Sequence, residues 1–302
     1  MNPLHRTGYQ HHELPSGLMM AYRDLGQGQP VVMVHGNPTW SFYYRHLVQA
    51  LLDDQGASFR TLVPDHIGMG HSDRWSDANT RYSLQQRIDD FDHWMQARLN
   101  EQAEKGAPST IDLVVHDWGG AIGLSWAARH PEKIRRLVIL NTWAFNIPEH
   151  ESLPWALKIA RSWLGQQLIV RFNAFARIAA KTAVKKPVDP ETRAGWLEPY
   201  EGEPTRRLAT AEFVRDIPLS PTDPAWSVLA ETEEKLAALK DKPIFIGWGM
   251  HDFVFTPKVL EMWTEHFSKA RIERFDEAGH YVLEDARHAL IPQIVRFLNS
   301  GV

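Results

Sequence analysis

Val114-Val-His-Asp-Trp-Gly-Gly120 is the stretch on which the fold turns. The apolar run Ile111–Val115 ahead of it reads as a buried strand, and Ala121–Arg129 behind it reads as a helix. A chain that passes from strand to helix within so few residues must bend sharply. Gly119 and Gly120 supply the small residues such a bend needs. This is the strand–turn–helix setting that lifts a nucleophile clear of a sheet, and the residue at its tip is Asp117. The plainer role for Asp117 is a cap on the helix that starts at Trp118.

The same alternation extends in both directions. Leu18–Asp24, Val31–Val34, Arg60–Pro64 and Ile134–Leu140 read as strands, and Phe42–Leu52 and Leu84–Leu99 have helical spacing. No buried strand is legible from about Ala144 to Thr232, a helical stretch rich in aromatic residues. Pro243–Trp248 and Ile272–Phe275 restore strands, Val259–Phe267 reads as a helix, and Ala286–Leu298 closes the chain as another. The expected class is α/β, a mostly parallel eight-stranded sheet with helices on both faces and a helical cap inserted after the sixth strand. The expected divisions are a first core part over 1–143, a cap over 144–232 and a second core part over 233–302. Its aromatic density points to an apolar cavity between cap and sheet.

Composition narrows the function. With 302 residues and 43% hydrophobic content, the chain can build one large core. A net charge of −4 gives no basic excess for nucleic acid, and the Lys181–Lys186 cluster reads as a solvated helix face. There is no cysteine, which excludes disulfides and thiolate chemistry. The polar start Met1–Gly8 lacks an apolar signal core, and no run reaches the roughly 18 apolar residues of a membrane span. A cytoplasmic protein is expected. No His-Glu-x-x-His or similar cluster suggests a metal, and Gly68-Met-Gly70 lacks the rest of a nucleotide-binding signature. No cofactor is expected.

A carboxylate nucleophile with an ordinary pKa of about 3.9 is already ionised at neutral pH. It can displace a leaving group at carbon and form an ester. His280 follows the last strand, where a general base belongs, and completes the chain order of nucleophile, acid, histidine. Asp252, after the strand ending at Trp248, is the acid of choice, with Glu277 and Asp276 as weaker candidates. The other usual acid position, near Asn141-Thr-Trp143, has no carboxylate. Trp118 and Asn37 offer N–H donors for a departing anion; their plainer roles are core packing and a turn residue before Pro38.

These residues resemble the haloalkane dehalogenases of the α/β-hydrolase fold over nearly the whole chain. His35-Gly-Asn-Pro-Thr-Trp40 and His116-Asp-Trp-Gly119 look like that family's anion-binding loop and nucleophile turn. Within the family the chain is similar to the β-lactone decarboxylases of bacterial long-chain olefin biosynthesis. Val63–Gly70, Arg171–Phe175, Asp216–Pro221 and Ala278–Asp285 carry that likeness. The resemblance implies Asp117 as nucleophile, Asp252 as acid, His280 as base, and Asn37 with Trp118 as leaving-group donors. It implies conversion of a cis-3,4-dialkyl β-lactone to a cis-alkene and CO₂, with hydrolytic dehalogenation of haloalkanes as the alternative. It further suggests a small apolar substrate, and the β-lactone synthetase and reductase of the same pathway as partners. Epoxide hydrolases usually need two cap tyrosines, and only Tyr200 lies between Ala144 and Thr232. Fluoroacetate dehalogenases place arginines where this chain has Trp118–Ala121, and a serine esterase would need serine at 117. A catalytically silent binding protein on the same fold is the class-different rival.

Overall fold

The computed structural model describes residues 8–75, 82–106, 108–147 and 155–300. The polar start over 1–7 and part of the expected cap, 148–154, lie outside the described residues. Eight strands form one sheet: β1 (Tyr9–Glu13), β2 (Met19–Gly26), β3 (Gln29–Val34), β4 (Phe59–Pro64), β5 (Ile111–Asp117), β6 (Ile134–Thr142), β7 (Ile244–Gly249) and β8 (Arg271–Phe275). Their order across the sheet is β1-β2-β4-β3-β5-β6-β7-β8. The β1–β2 and β2–β4 pairs are antiparallel and the rest are parallel. Every residue of β5 and β7 is buried, as expected for central strands covered on both faces.

The helices are α1 (Arg45–Leu52), α2 (Leu84–Glu104), α3 (Trp118–Arg129), α4 (Trp155–Arg161), α5 (Trp163–Phe172), α6 (Ala174–Thr182), α7 (Pro190–Leu197), α8 (Leu208–Arg215), α9 (Pro224–Lys235), α10 (Pro257–His266), α11 (Val282–Asp285) and α12 (Arg287–Asn299). In α2, Ile88, Phe91, Trp94 and Met95 recur at helical spacing and are buried on one stripe. Ser83 caps α2 by accepting the N–H of Gln86. Helices α4 to α9 all fall between β6 and β7. Of these, α9 lies against α3, with the hydroxyls of Thr232 and Ser125 2.6 Å apart.

Three readings differ from the structure. Strand β1 was not legible, because Tyr9-Gln-His-His-Glu13 is polar and half exposed at the sheet edge. The segment Phe42–Leu52 divides into a 3-10 turn over Ser41–Tyr44 and then α1. The Lys181–Lys186 cluster is not one helix face: α6 ends at Thr182, and Ala183 and Val184 are buried. The carboxylate of Asp285 accepts the backbone N–H groups of Lys185 and Lys186 at 2.9 and 3.2 Å and fixes that exit.

The tight bend after β5 depends on close backbone approach. A Cβ on Gly119 would stand 2.0 Å from the carbonyl oxygen of Val34 in β3, and backbone cannot yield cheaply. Gly119→Ala is therefore expected to destabilise the protein by about 2–3 kcal/mol. The measurement is the urea unfolding midpoint, and an unchanged midpoint would show that the turn has room to relax.

Candidate active site

Asp117 ends β5 and caps α3, with φ 53° and ψ −132°. A non-glycine residue in this region is strained, so surrounding contacts must hold it there. The β5–β6 register shifts at His116/Asp117, and the Thr142 hydroxyl donates to the Asp117 carbonyl. A Cβ on Gly36 would lie 2.1 Å from Asp117 Oδ1, so only glycine leaves room for this carboxylate.

The two carboxylate oxygens have different surroundings. Oδ1 accepts the backbone N–H of Asn37 at 2.8 Å and that of Trp118 at 2.6 Å. Oδ2 lies 3.1 Å from His280 Nε2. The other nitrogen of His280, Nδ1, lies 2.8 Å from Asp252 Oδ2. Asp252 Oδ1 accepts the N–H groups of Val254 and Phe255 at 2.7 and 3.1 Å. The structure thus brings Asp117, His280 and Asp252 into one line of contacts. Asp276 and Glu277 sit exposed in the turn after β8.

Burial penalises charge on Asp117 and His280, yet their attraction outweighs it. Desolvation disfavours a charged His280, but Asp252 and Asp117 on its two nitrogens push its pKa from 6.5 up to about 10. Burial likewise opposes the Asp117 carboxylate, but His280 and the Asn37 N–H hold its pKa below the ordinary value. In the resting site His280 is therefore an imidazolium between two carboxylates. His116 behaves oppositely: burial and the neighbouring His280 lower its pKa to about 3. As a neutral ring it donates its Nε2–H to the His280 carbonyl at 2.8 Å, while Tyr43 stacks on it.

Asn141 is a site residue that the sequence reading passed over. It stands at the end of β6, where no carboxylate was found. Its side-chain amide donates to Asp252 Oδ2 at 2.9 Å and accepts the Gly249 N–H at 2.8 Å. The signal was present: an amide at the alternative acid position can hydrogen-bond a carboxylate that follows the next strand.

Asn37 and Trp118 line a cavity of about 760 Å³ that also reaches Asp117 and His280. Its remaining wall is largely apolar and includes Trp143, Ile147, Phe175, Val214 and Phe255. The Trp118 indole packs edge-on against Trp143 and tilted against Phe213. The Asn37 amide nitrogen donates to the Thr210 carbonyl of α8 at 3.3 Å. That nitrogen carries two hydrogens, so one N–H remains for an anion. Among the described residues, no group of three or more His, Asp or Glu is placed to hold a metal ion.

Such a site can attack an electrophilic carbon with Oδ2 while Oδ1 stays clamped. It can then receive an anionic leaving group on neighbouring N–H donors. The alpha/beta hydrolase fold family matches residues 29–286. The chain is 44% identical over 287 residues to a cis-3-alkyl-4-alkyloxetan-2-one decarboxylase of Shewanella oneidensis, covering 94% of this chain and 86% of that one. It is 41% identical to the protein so named in Xanthomonas campestris pv. campestris, covering 94% of each. A haloalkane dehalogenase of Mycolicibacterium paratuberculosis is 33% identical, covering 78% of this chain and 72% of that one.

The raised pKa of His280 links the site to stability. A histidine titrating at about 10 when folded and 6.5 when unfolded stabilises fully below 6.5 and loses that contribution as pH rises through 10. Between pH 7 and about 10 the urea midpoint is expected to fall. In Asp252→Asn the fall is smaller, and the His280 NMR titration moves back toward neutrality. An unmoved titration in that variant would mean that Asp252 does not hold the imidazolium.

Proposed function

We propose, on the premise that this chain belongs to the alpha/beta hydrolase fold family and within it to the cis-3-alkyl-4-alkyloxetan-2-one decarboxylases, that it converts cis-3,4-dialkyl β-lactones to cis-alkenes and CO₂. The observation that carries this reading is the clamped carboxylate of Asp117 facing an apolar cavity.

In the proposed sequence Oδ2 of Asp117 attacks the ring carbon that bears the lactone oxygen. The C–O bond of the ring breaks with inversion, and its electron pair leaves on a new carboxylate. One N–H of Asn37 and the indole of Trp118 receive that carboxylate. The bond to the carboxylate carbon then breaks and its electrons form the alkene. The ester C–O bond breaks at the same time, restoring ionised Asp117. Inversion followed by anti loss keeps the two alkyl groups cis. No proton or water is consumed. The two backbone N–H groups on Oδ1 stabilise Asp117 both as it departs and as it rests.

His280 follows from the electrostatics. As an imidazolium it steadies the nucleophile and needs no neutral form for decarboxylation. When Asp117 becomes an ester its negative charge is lost, and with it part of what raises the His280 pKa. A neutral His280 could then activate water, which is the hydrolytic route a haloalkane would take. That second reading is favoured by the same anion donors, which suit halide as well as carboxylate. We further propose Asp117, Asp252 and His280 as the catalytic set, residues 144–232 as the cap, a cytoplasmic setting, and the pathway's β-lactone synthetase and reductase as partners.

Synthetic cis-β-lactone and 1-haloalkane, offered separately, are expected to give cis-alkene from the first and little halide from the second. Fast halide release beside an inert lactone would overturn the decarboxylase reading. Asp117→Asn is expected to lose about four orders of magnitude or more in kcat while staying folded, judged by circular dichroism. For the lactone, kcat/KM should stay level within about twofold from pH 6 to pH 9, because Asp117 is ionised and His280 charged throughout. A rise through pH 6–7, roughly the ordinary histidine range, would instead assign His280 a base's duty.

A further inference from the structure

Helices α4 and α5 carry an unusual outer surface. Trp163 is 77% exposed, Trp155 74% and Phe172 63%, with Ile159, Leu164 and Leu168 exposed beside them. Leu164, Leu168 and Phe172 follow one another at i, i+4 and i+8, so they form a single stripe along α5. Isolated exposed apolar residues are ordinary, but a grouped set with two tryptophans is not.

The charge of the same segment is one-sided. From Trp155 to Lys186 there are seven Lys and Arg and no Asp or Glu, in a chain whose net charge is −4. Arg161 pairs with Asp223 and Arg177 with Glu201. Lys158, Arg171, Lys181, Lys185 and Lys186 are exposed, with no ion-pair partner among the described residues. A basic segment without acidic residues that exposes Trp, Leu and Phe matches the interfacial helices that lie on anionic bilayers. A protein-binding face would instead deplete charge at its centre.

The surface also meets the cavity. Ile178 and Phe253 are 60% and 44% exposed, and both line the cavity that reaches Asp117; Lys158 of α4 lines it too. Ala156 and Leu157 of α4 line it as well, so the helix that exposes Trp155 and Ile159 also forms part of the cavity wall.

We propose that the α4–α5 face docks on the surface of an anionic membrane and presents the cavity mouth to the lipid. Apolar substrate then enters from the bilayer, and apolar product returns to it without crossing water. Among the described residues no helix is long and apolar enough to cross a membrane.

The test is flotation of the full chain with vesicles of phosphatidylethanolamine and phosphatidylglycerol, against vesicles of phosphatidylcholine alone. Binding is expected on the anionic vesicles, about tenfold or more weaker on the neutral ones, and reduced by salt. The variant Trp163→Ser/Leu168→Ser/Phe172→Ser and the variant Arg171→Glu/Lys181→Glu should each lose about tenfold or more of that binding. None of these five residues lines the cavity, so turnover of a short, water-soluble substrate without vesicles should stay within about twofold of the parent. No preference for anionic vesicles, or undiminished binding by either variant, overturns the proposal. So does a parent that self-associates by light scattering, ignores vesicles, and becomes monomeric in the first variant, which would make the face a protein interface. Vesicle binding involves no turnover, so its failure leaves the decarboxylase reading standing and a failed lactone assay leaves the docking standing.

Discussion

Two backbone N–H groups gripping one oxygen of Asp117 are the constraint on which the rest of this structure depends. They come from opposite sides, one from the loop after β3 and one from the first turn of α3. To bring them to one atom, β3 and β5 must be neighbours and the chain must turn within one residue of Asp117. That requirement explains the positive φ of Asp117, the absence of a side chain at Gly36, and the contact of Gly119 with the Val34 carbonyl. Strain at the bend is the cost of leaving the second oxygen available to the cavity.

Charge is handled by balance rather than by solvent. An isolated carboxylate in so buried a place would be driven toward its neutral form. Here a single imidazolium lies between two carboxylates, and each outer oxygen is met by further donors. The supports are spread over the sheet: Asn141 ends β6, Asp252 follows β7 and His280 follows β8. Only a parallel sheet delivers all of these to one edge, because its strands end on the same side.

The cavity and its outer rim extend the same logic to the substrate. The walls are largely apolar, and Asn37, Asp117 and His280 place polar groups together at one part of them. Helix α4 lines that cavity and, with α5, exposes aromatic residues outward, and the cations of the segment Trp155–Lys186 set it apart from the acidic remainder of the chain.

Much of this was legible in the residue order. Strong apolar runs such as Ile111–Val115 declared the central strands, and the Asp-Trp-Gly-Gly turn declared a carboxylate where other hydrolases need a hydroxyl. The polar edge strand β1 and the break in the chain after Thr182 were not legible, because neither rests on local periodicity. What the sequence determined by itself was the chemistry on offer: an ionised oxygen, an imidazole, an acid and two donors, each fixed by residue type and position along the chain. Only the tertiary structure decided how they share charge and which oxygen is held. Asn141 supports Asp252 across 111 residues, and Asn37 grips Asp117 across 80, through contacts that exist only once distant strands lie side by side.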